Sequence, residues 1–263
     1  ELHSWTDRPI WPQGVKGHDH SKMMPVVPPT LSWDLWLGVA AQREFDPGYL
    51  PFNWRGFCDF GTGALGDMGC HMMDGGFWAF DLPAPTTVEA VSANATAISA
   101  PTASVVTYQF AARGARPALK WVWYDGNMEP LIPPELELER KLPDNSTLIV
   151  GTKATVLCQA NYYTIRIIPE TKMQAMASSL PPKTIPRIPA GNHFAEWIGA
   201  CKGGTPAGAN FVYSARLTEM VLLSNVAVRA RRRIELDSAA MKVTNLPAAN
   251  EFITKQYRPG FGV

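Results

Sequence analysis

Apolar and polar positions along the chain change their period several times. From Gly63 to Phe80 the spacing is helical: Leu65, Met68, Met72, Gly75 and Ala79 make one apolar stripe, and Asp67, His71, Asp74 and Trp78 make another. Between about Thr87 and Ile168 the runs "SVVTYQF", "LKWVWY", "LIVGTKATVLCQ" and "YYTIRII" are rich in β-branched and aromatic residues. Short turn signals such as "YDGN" separate them, which predicts antiparallel strands and not alternating βαβ units. Two further helices are expected at "NHFAEWIGACKGG", ended by Gly203 and Gly204, and at "YSARLTEMVLLSNVAVRA". A short strand at "RIEL" and a last helix near "PAANEFITKQY", led by Asn245 and Pro247, complete the pattern.

Two stretches show no such period. Residues 1 to about 60 are rich in Pro, Trp and Gly ("DRPIWPQG", "MMPVVPPT", "LSWDLWLG"), which predicts ordered loop and extended chain. A loop region of that length is usually functional, so it is the expected pocket segment. Residues 169–191 read as a polar, proline-containing connection. The expected fold is therefore α+β, with an open, mostly antiparallel β-sheet, helices packed on one face, and a long loop-rich N-terminal segment before them. Residues 1–263 are read as one domain.

Composition narrows the function classes. Hydrophobic residues make up 46% of the 263 and charged residues 18%, as in an ordinary globular chain. The formal net charge is +1, which gives no electrostatic footprint for a nucleic-acid or anionic-membrane partner. The one basic run, Arg229 to Arg233, follows an apolar stretch and suits a helix C-terminus. No apolar run approaches the ~20 residues of a membrane span, and no signal peptide is visible, so location stays open between cytoplasm and periplasm. Cys58, Cys70, Cys158 and Cys201 contain no C-x-x-C and read as small hydrophobes, without a metal site. His18-Asp19-His20 is read as a polar loop and not as a metal centre.

The stretch with chemical content is "GTGALGDMGCHMMD", Gly61 to Asp74, whose first six residues match G-x-G-x-x-G. A dinucleotide fingerprint needs a buried apolar strand before it and an acid at the end of the next strand. Here "PFNWRGFCDF" precedes it, and Asp67 follows the last glycine, where a carboxylate would repel a pyrophosphate. No cofactor-binding residue is therefore assigned in this chain. Asp67 and His71 are one helical turn apart on one face, a spacing that suits general acid/base work and equally a surface pair that steadies a helix.

"GALGDMGCHMMD" resembles the catalytic helix of the Gfo/Idh/MocA oxidoreductases, whose substrate domain carries D-x-x-x-H. "HSWTDRPIWPQG", "LSWDLWLG", "PFNWRGFCDFGTGALGDMGCH", "GNHFAEWIGACKGG" and "MKVTNLPAANEFITKQYRPGF" resemble one bacterial branch of that family, so the likeness runs over the whole chain. The resemblance implies an N-terminal Rossmann domain that holds NAD or NADP and supplies a lysine, often within E-K-P. It also implies a C-terminal α+β domain for a sugar-like substrate, with an open sheet that forms the oligomer interface. The sequence starts where that second domain starts and holds no E-K-P, so it is expected to be the substrate-binding half, without a cofactor of its own.

On this resemblance Asp67 and His71 are the catalytic pair. Arg8, Trp11, Gln13, Trp36, Trp54, Arg55 and His193 are candidates for the substrate pocket, since Arg and Gln offer donors to hydroxyls and Trp offers a face for a sugar ring. Core packing is the competing role for each tryptophan. Three functions stand side by side: oxidation of a CH–OH group of a sugar or polyol; glycoside cleavage or epimerisation through transient oxidation by bound NAD; and a carbohydrate-binding or assembly module without catalysis. A homo-oligomer through the sheet face is the expected assembly, with Trp121, Trp123 and Tyr124 on the open side.

Overall fold

The computed structural model describes residues 1–17, 25–188 and 191–261. His18, Asp19 and His20 lie outside the described residues.

One nine-stranded sheet organises the chain, in the order β7-β6-β5-β1-β4-β3-β2-β8-β9. Strands β2 (Thr87–Ala93), β3 (Ala103–Phe110), β4 (Leu119–Tyr124), β5 (Ser146–Val150), β6 (Thr155–Gln159) and β7 (Ile165–Ile168) fall within the expected sheet region. β8 (Ile234–Asp237) is the strand expected at "RIEL", and β9 (Lys242–Val243) lengthens that edge. Strand β1 (Leu2–Trp5) is the exception. It comes from the stretch read as loop, yet it occupies the middle of the sheet, parallel to β4 and antiparallel to β5. Every other pairing is antiparallel. Four residues are too few for a period to emerge, but their alternation fits: Leu2 and Ser4 face the helices, and Trp5 faces the opposite side.

Helices α2 (Gly63–Ala79) and α5 (Phe211–Ala230) cover one face of the sheet. The buried stripe of α2 runs through Leu65, Gly69, Met72, Met73, Gly76 and Phe77, whereas Ala79 is exposed. The glycines are its points of closest approach. A Cβ on Gly69 would stand 2.6 Å from Val221 Cγ1 of α5, and one on Gly76 would stand 2.6 Å from Trp121 Cη2 of β4. Hydrophobicity assigns these positions no weight, so the stripe was legible only in part. Trp121 and Trp123 lie fully buried in this core, not on the open sheet face, because the pairing of β1 with β4 turns them toward the helices. Tyr124 points the other way, where Trp5, Leu136, Leu142, Leu148, Leu157 and Ile168 form a second core.

Four smaller elements complete the frame. A short helix α1 (Trp33–Leu37) interrupts the loop-rich segment, and α3 (Glu170–Met176) forms where a plain connection was expected. In α3 Glu170 begins the helix behind Pro169 and is held by Arg166, four residues earlier. α4 (His193–Cys201) is capped by Asn192, which accepts from Ala195 N at 3.0 Å. The final helix shrinks to a 3-10 turn, Pro247–Phe252.

The end of the chain holds its beginning in place. Arg258 donates to Asp34 Oδ1 (2.6 Å), Gln42 Oε1 (2.7 Å) and Gly38 O (2.7 Å), and Lys255 donates to Asp59 O (2.6 Å). No helix among the described residues is long and apolar enough to cross a membrane.

Candidate active site

The start of α2 is fixed by a residue fifty positions earlier. Gln13 Oε1 accepts from Ala64 N and from Trp11 Nε1, each at 2.9 Å, while Gln13 Nε2 donates to Pro101 O. Thr62, at the N-cap position, contributes no side-chain bond, so Gln13 satisfies a helix donor that would otherwise lack a partner. Gln13 thus acts as a bracket for the helix. Its neighbour Trp11, only 5% exposed, packs edge-on against Phe52.

The G-x-G-x-x-G glycines close on their own chain. A Cβ on Gly61 would meet the Arg55 backbone at 2.6–2.9 Å, and Gly63, at φ +67°, lies against Ala100 and Gln13. The element before them is a 3-10 turn, Asn53–Gly56, and no strand leads into the motif. These residues do not fit a dinucleotide pyrophosphate, which needs glycine backbone facing outward at the end of a strand.

Beyond the first turn, α2 presents its polar stripe to solvent. Asp67 accepts from Arg55 Nε at 3.2 Å. The Arg55 guanidinium lies 4.4 Å from the Phe52 ring centre, 4.7 Å from Trp54 and 5.8 Å from Trp11, so three aromatic rings orient the cation that holds the carboxylate. His71 follows one turn later and is exposed, without a hydrogen bond to Asp67. Asp74, the next member of the stripe, accepts from Tyr213 Oη at 2.5 Å. Burial, with the Asp74 carboxylate beside it, pushes the Tyr213 phenol well above its ordinary range. His71 therefore lies between two carboxylates, each fixed by a partner from elsewhere in the fold.

The remaining candidates separate. Trp54 and Arg55 join Asp67, and Trp11 adjoins them. Trp36 belongs to a different group: it stacks on Trp33 (4.8 Å between ring centres) and tilts against Phe60 (4.6 Å). Arg43 lies over that group, 5.3 Å from the Phe60 ring centre, and pairs with Asp59. Arg8 pairs with its neighbour Asp7. His193 is exposed at the start of α4 with its ring against Phe194.

Sequence reasoning passed over Tyr162, which bears on α2 directly. Its hydroxyl donates to Met72 O (2.6 Å) and accepts from Gly76 N (3.1 Å), so it enters the helix ladder one turn past His71. The tyrosine comes from the β6–β7 connection at φ +57°, and its ring lies where a Cβ on Gly75 would be. Gly75 is the signal that a large group packs there. No group of residues able to hold a metal ion occurs among the described residues.

Residues 9–119 match the model of the Gfo/Idh/MocA oxidoreductase family, C-terminal alpha/beta domain. The matched stretch includes Gln13, Arg55, Asp67 and His71, together with all of α2, β2 and β3. Among solved structures, a proposed oxidoreductase from Thermotoga maritima is similar at 12% identity with a TM-score of 0.40. That likeness covers 75% of this chain and 52% of the other, so the chain spans about half the length of that protein. No curated protein matches the chain.

Proposed function

We propose that this chain is the substrate-binding half of an NAD(P)-dependent oxidoreductase of the Gfo/Idh/MocA family, acting on a CH–OH group of a sugar or polyol. The observation that carries the reading is the exposed stripe of α2, where His71 stands one turn from an Asp67 fixed by Arg55 and its aromatic rings. The hydride acceptor in this reading is NAD or NADP held by a domain outside these residues, since the glycine turn here does not suit it.

In that role His71 takes the hydroxyl proton as the alcohol becomes a carbonyl, which imidazole does well near neutral pH. Asp67 accepts a hydrogen bond from a neighbouring hydroxyl of the substrate. Arg55 keeps that carboxylate aimed, and Trp54 offers a ring face beside the guanidinium. Self-association through the sheet face opposite the helices completes the proposal, with Val91 77% exposed there on β2.

The test is turnover of sugars and polyols with NAD+ or NADP+ by the full-length protein. His71→Ala is expected to lower kcat about 10²–10⁴-fold, in the usual range for loss of a general base. Unchanged turnover in His71→Ala sinks the assignment.

A further inference from the structure

Nδ2 of Asn225, on α5, is buried without a hydrogen-bond partner among the described residues. Native structures pair nearly all such donors, because an unpaired one forfeits its hydration for nothing. Asn225 stands one turn beyond Val221, the residue that a Cβ on Gly69 of α2 would meet. It therefore faces the first turn of α2. A cavity of about 10 Å³ lies at that point, lined by Asn225, Gln13, Gly63, Leu65 and Asp125 among others.

The first turn of α2 adds donors of its own. Ala64 N is bonded to Gln13 Oε1 and Gly66 N to Thr62 O, whereas the N–H groups of Gly63 and Leu65 take no bond among the described residues. Asp125, 2% exposed, supplies the acceptor. Its Oδ2 accepts from Ser104 Oγ (2.8 Å) and Trp123 Nε1 (3.0 Å), and its Oδ1 from Ser104 N alone (2.5 Å). Each carboxylate oxygen can accept twice, so Oδ1 keeps one site.

A group that completes this set must accept from N–H groups of α2 and α5 and donate to Asp125. A metal ion accepts no hydrogen bond. A halide donates none, and it would lie against the carboxyl. Water does both, and it needs only about 10–15 Å³ with roughly two to four polar partners.

We infer that this cavity is the seat of one buried water, which accepts from Asn225 Nδ2 and a first-turn N–H of α2 and donates to Asp125. Thr62 gives α2 no side-chain cap, so Gln13 and this water together cap the helix that carries Asp67 and His71. Asn225 is then a positioning residue for α2 that acts through the water. The inference concerns how the helix is held, so it can fail or hold independently of the oxidoreductase reading.

Two measurements test it. Oxygen-17 relaxation dispersion counts the waters held inside a protein. Asn225→Leu, which exchanges the amide for an apolar group of similar size, is expected to hold one fewer than wild type at unchanged circular dichroism. Equal counts overturn the inference. A high-resolution crystal structure of the wild type needs no variant, and it is expected to show a water about 2.7–3.2 Å from both Asn225 Nδ2 and Asp125 Oδ1. Asn225 Nδ2 bonded to a protein group, with no density in the cavity, overturns it. So does an anomalous peak there in crystals grown with bromide, which would make the cavity an anion site.

Discussion

Arg55 Nε donates to Asp67 Oδ1 across 3.2 Å, so the carboxylate of the D-x-x-x-H pair is held from the loop-rich segment and not by the histidine that shares its helix face. Both side chains are about 30% exposed, at 27% and 31%. An ion pair at that exposure contributes about 0–1 kcal/mol to stability. Arg55→Ala is therefore expected to leave urea unfolding nearly unchanged and to weaken substrate binding. Asp67→Asn should do the same, and the two together should cost no more than either alone, because each disables the same unit. Additive losses in a double-mutant cycle on KM would contradict the coupling.

The hydroxyl of Tyr162 bridges Met72 O and Gly76 N inside α2. Tyr162→Phe keeps the ring against Gly75 and removes only the bridge. Met72 O retains Thr147 Oγ1 at 2.5 Å, so the cost is expected near the usual value for one hydrogen bond, about 1 kcal/mol. Urea denaturation of the two proteins measures it, and an unchanged midpoint would show that the hydroxyl is not part of the ladder.

Two glycines on two helices make opposite predictions. A Cβ on Gly76 would meet the rigid Trp121 indole and Leu2 Cδ2 at 2.6 and 2.9 Å, so Gly76→Ala should destabilise by about 1–3 kcal/mol through overpacking. Gly199, on α4, has nothing within 4 Å of such a Cβ. There the alanine brings only its helix propensity, and Gly199→Ala should stabilise by about 0.5–1 kcal/mol. Thermal unfolding of both variants checks the pair, and a shift of the same sign in both would refute the packing account.

Asp125 is buried beside the tightly packed start of α2, and burial pushes its carboxyl from 3.8 up to about 6. Trp123 Nε1 (3.0 Å), Ser104 Oγ (2.8 Å) and Ser104 N (2.5 Å) donate to it and oppose that shift without cancelling it. The folded pKa lies above the unfolded one, so the folded chain binds more protons between about pH 4 and 6. The stabilisation linked to Asp125 is then full below that window and lost as pH rises through about 6, on the order of 3 kcal/mol. Urea unfolding from pH 4 to 7 should show wild type losing stability relative to Asp125→Asn. Parallel profiles would place the carboxyl elsewhere on the pH scale.

The fold was legible where side chains carry the pattern. Strands β2 to β7 and helices α2, α4 and α5 follow from β-branched runs, apolar spacing and Gly, Asn and Pro boundaries. It was illegible where the cause lies far away in the chain. β1 is too short for a period and is fixed by its partners 121–124 and 146–149. The Trp121 and Trp123 faces depend on that same pairing.

The candidate site divides along the same line. Asp67 and His71 could be picked out because both lie within one helix turn and match a family pattern. Arg55 pairs with Asp67 and lies over the Trp54 ring, whereas Gln13, Trp11 and Trp36 serve mainly as brackets and packing. Tyr162 and Tyr213 reach α2 from 86 or more positions away, and nothing in their local sequence marks them.

The central claim is that this chain provides the substrate side of the reaction while its glycine turn packs against its own backbone. The direct measurement is a calorimetric titration of the chain of residues 1–263 with NADH and with NADPH. No binding heat is expected for either, because Gly61 and Gly63 pack against Arg55, Ala100 and Gln13. Micromolar binding of either dinucleotide, abolished by a valine in place of Gly63, would contradict the account.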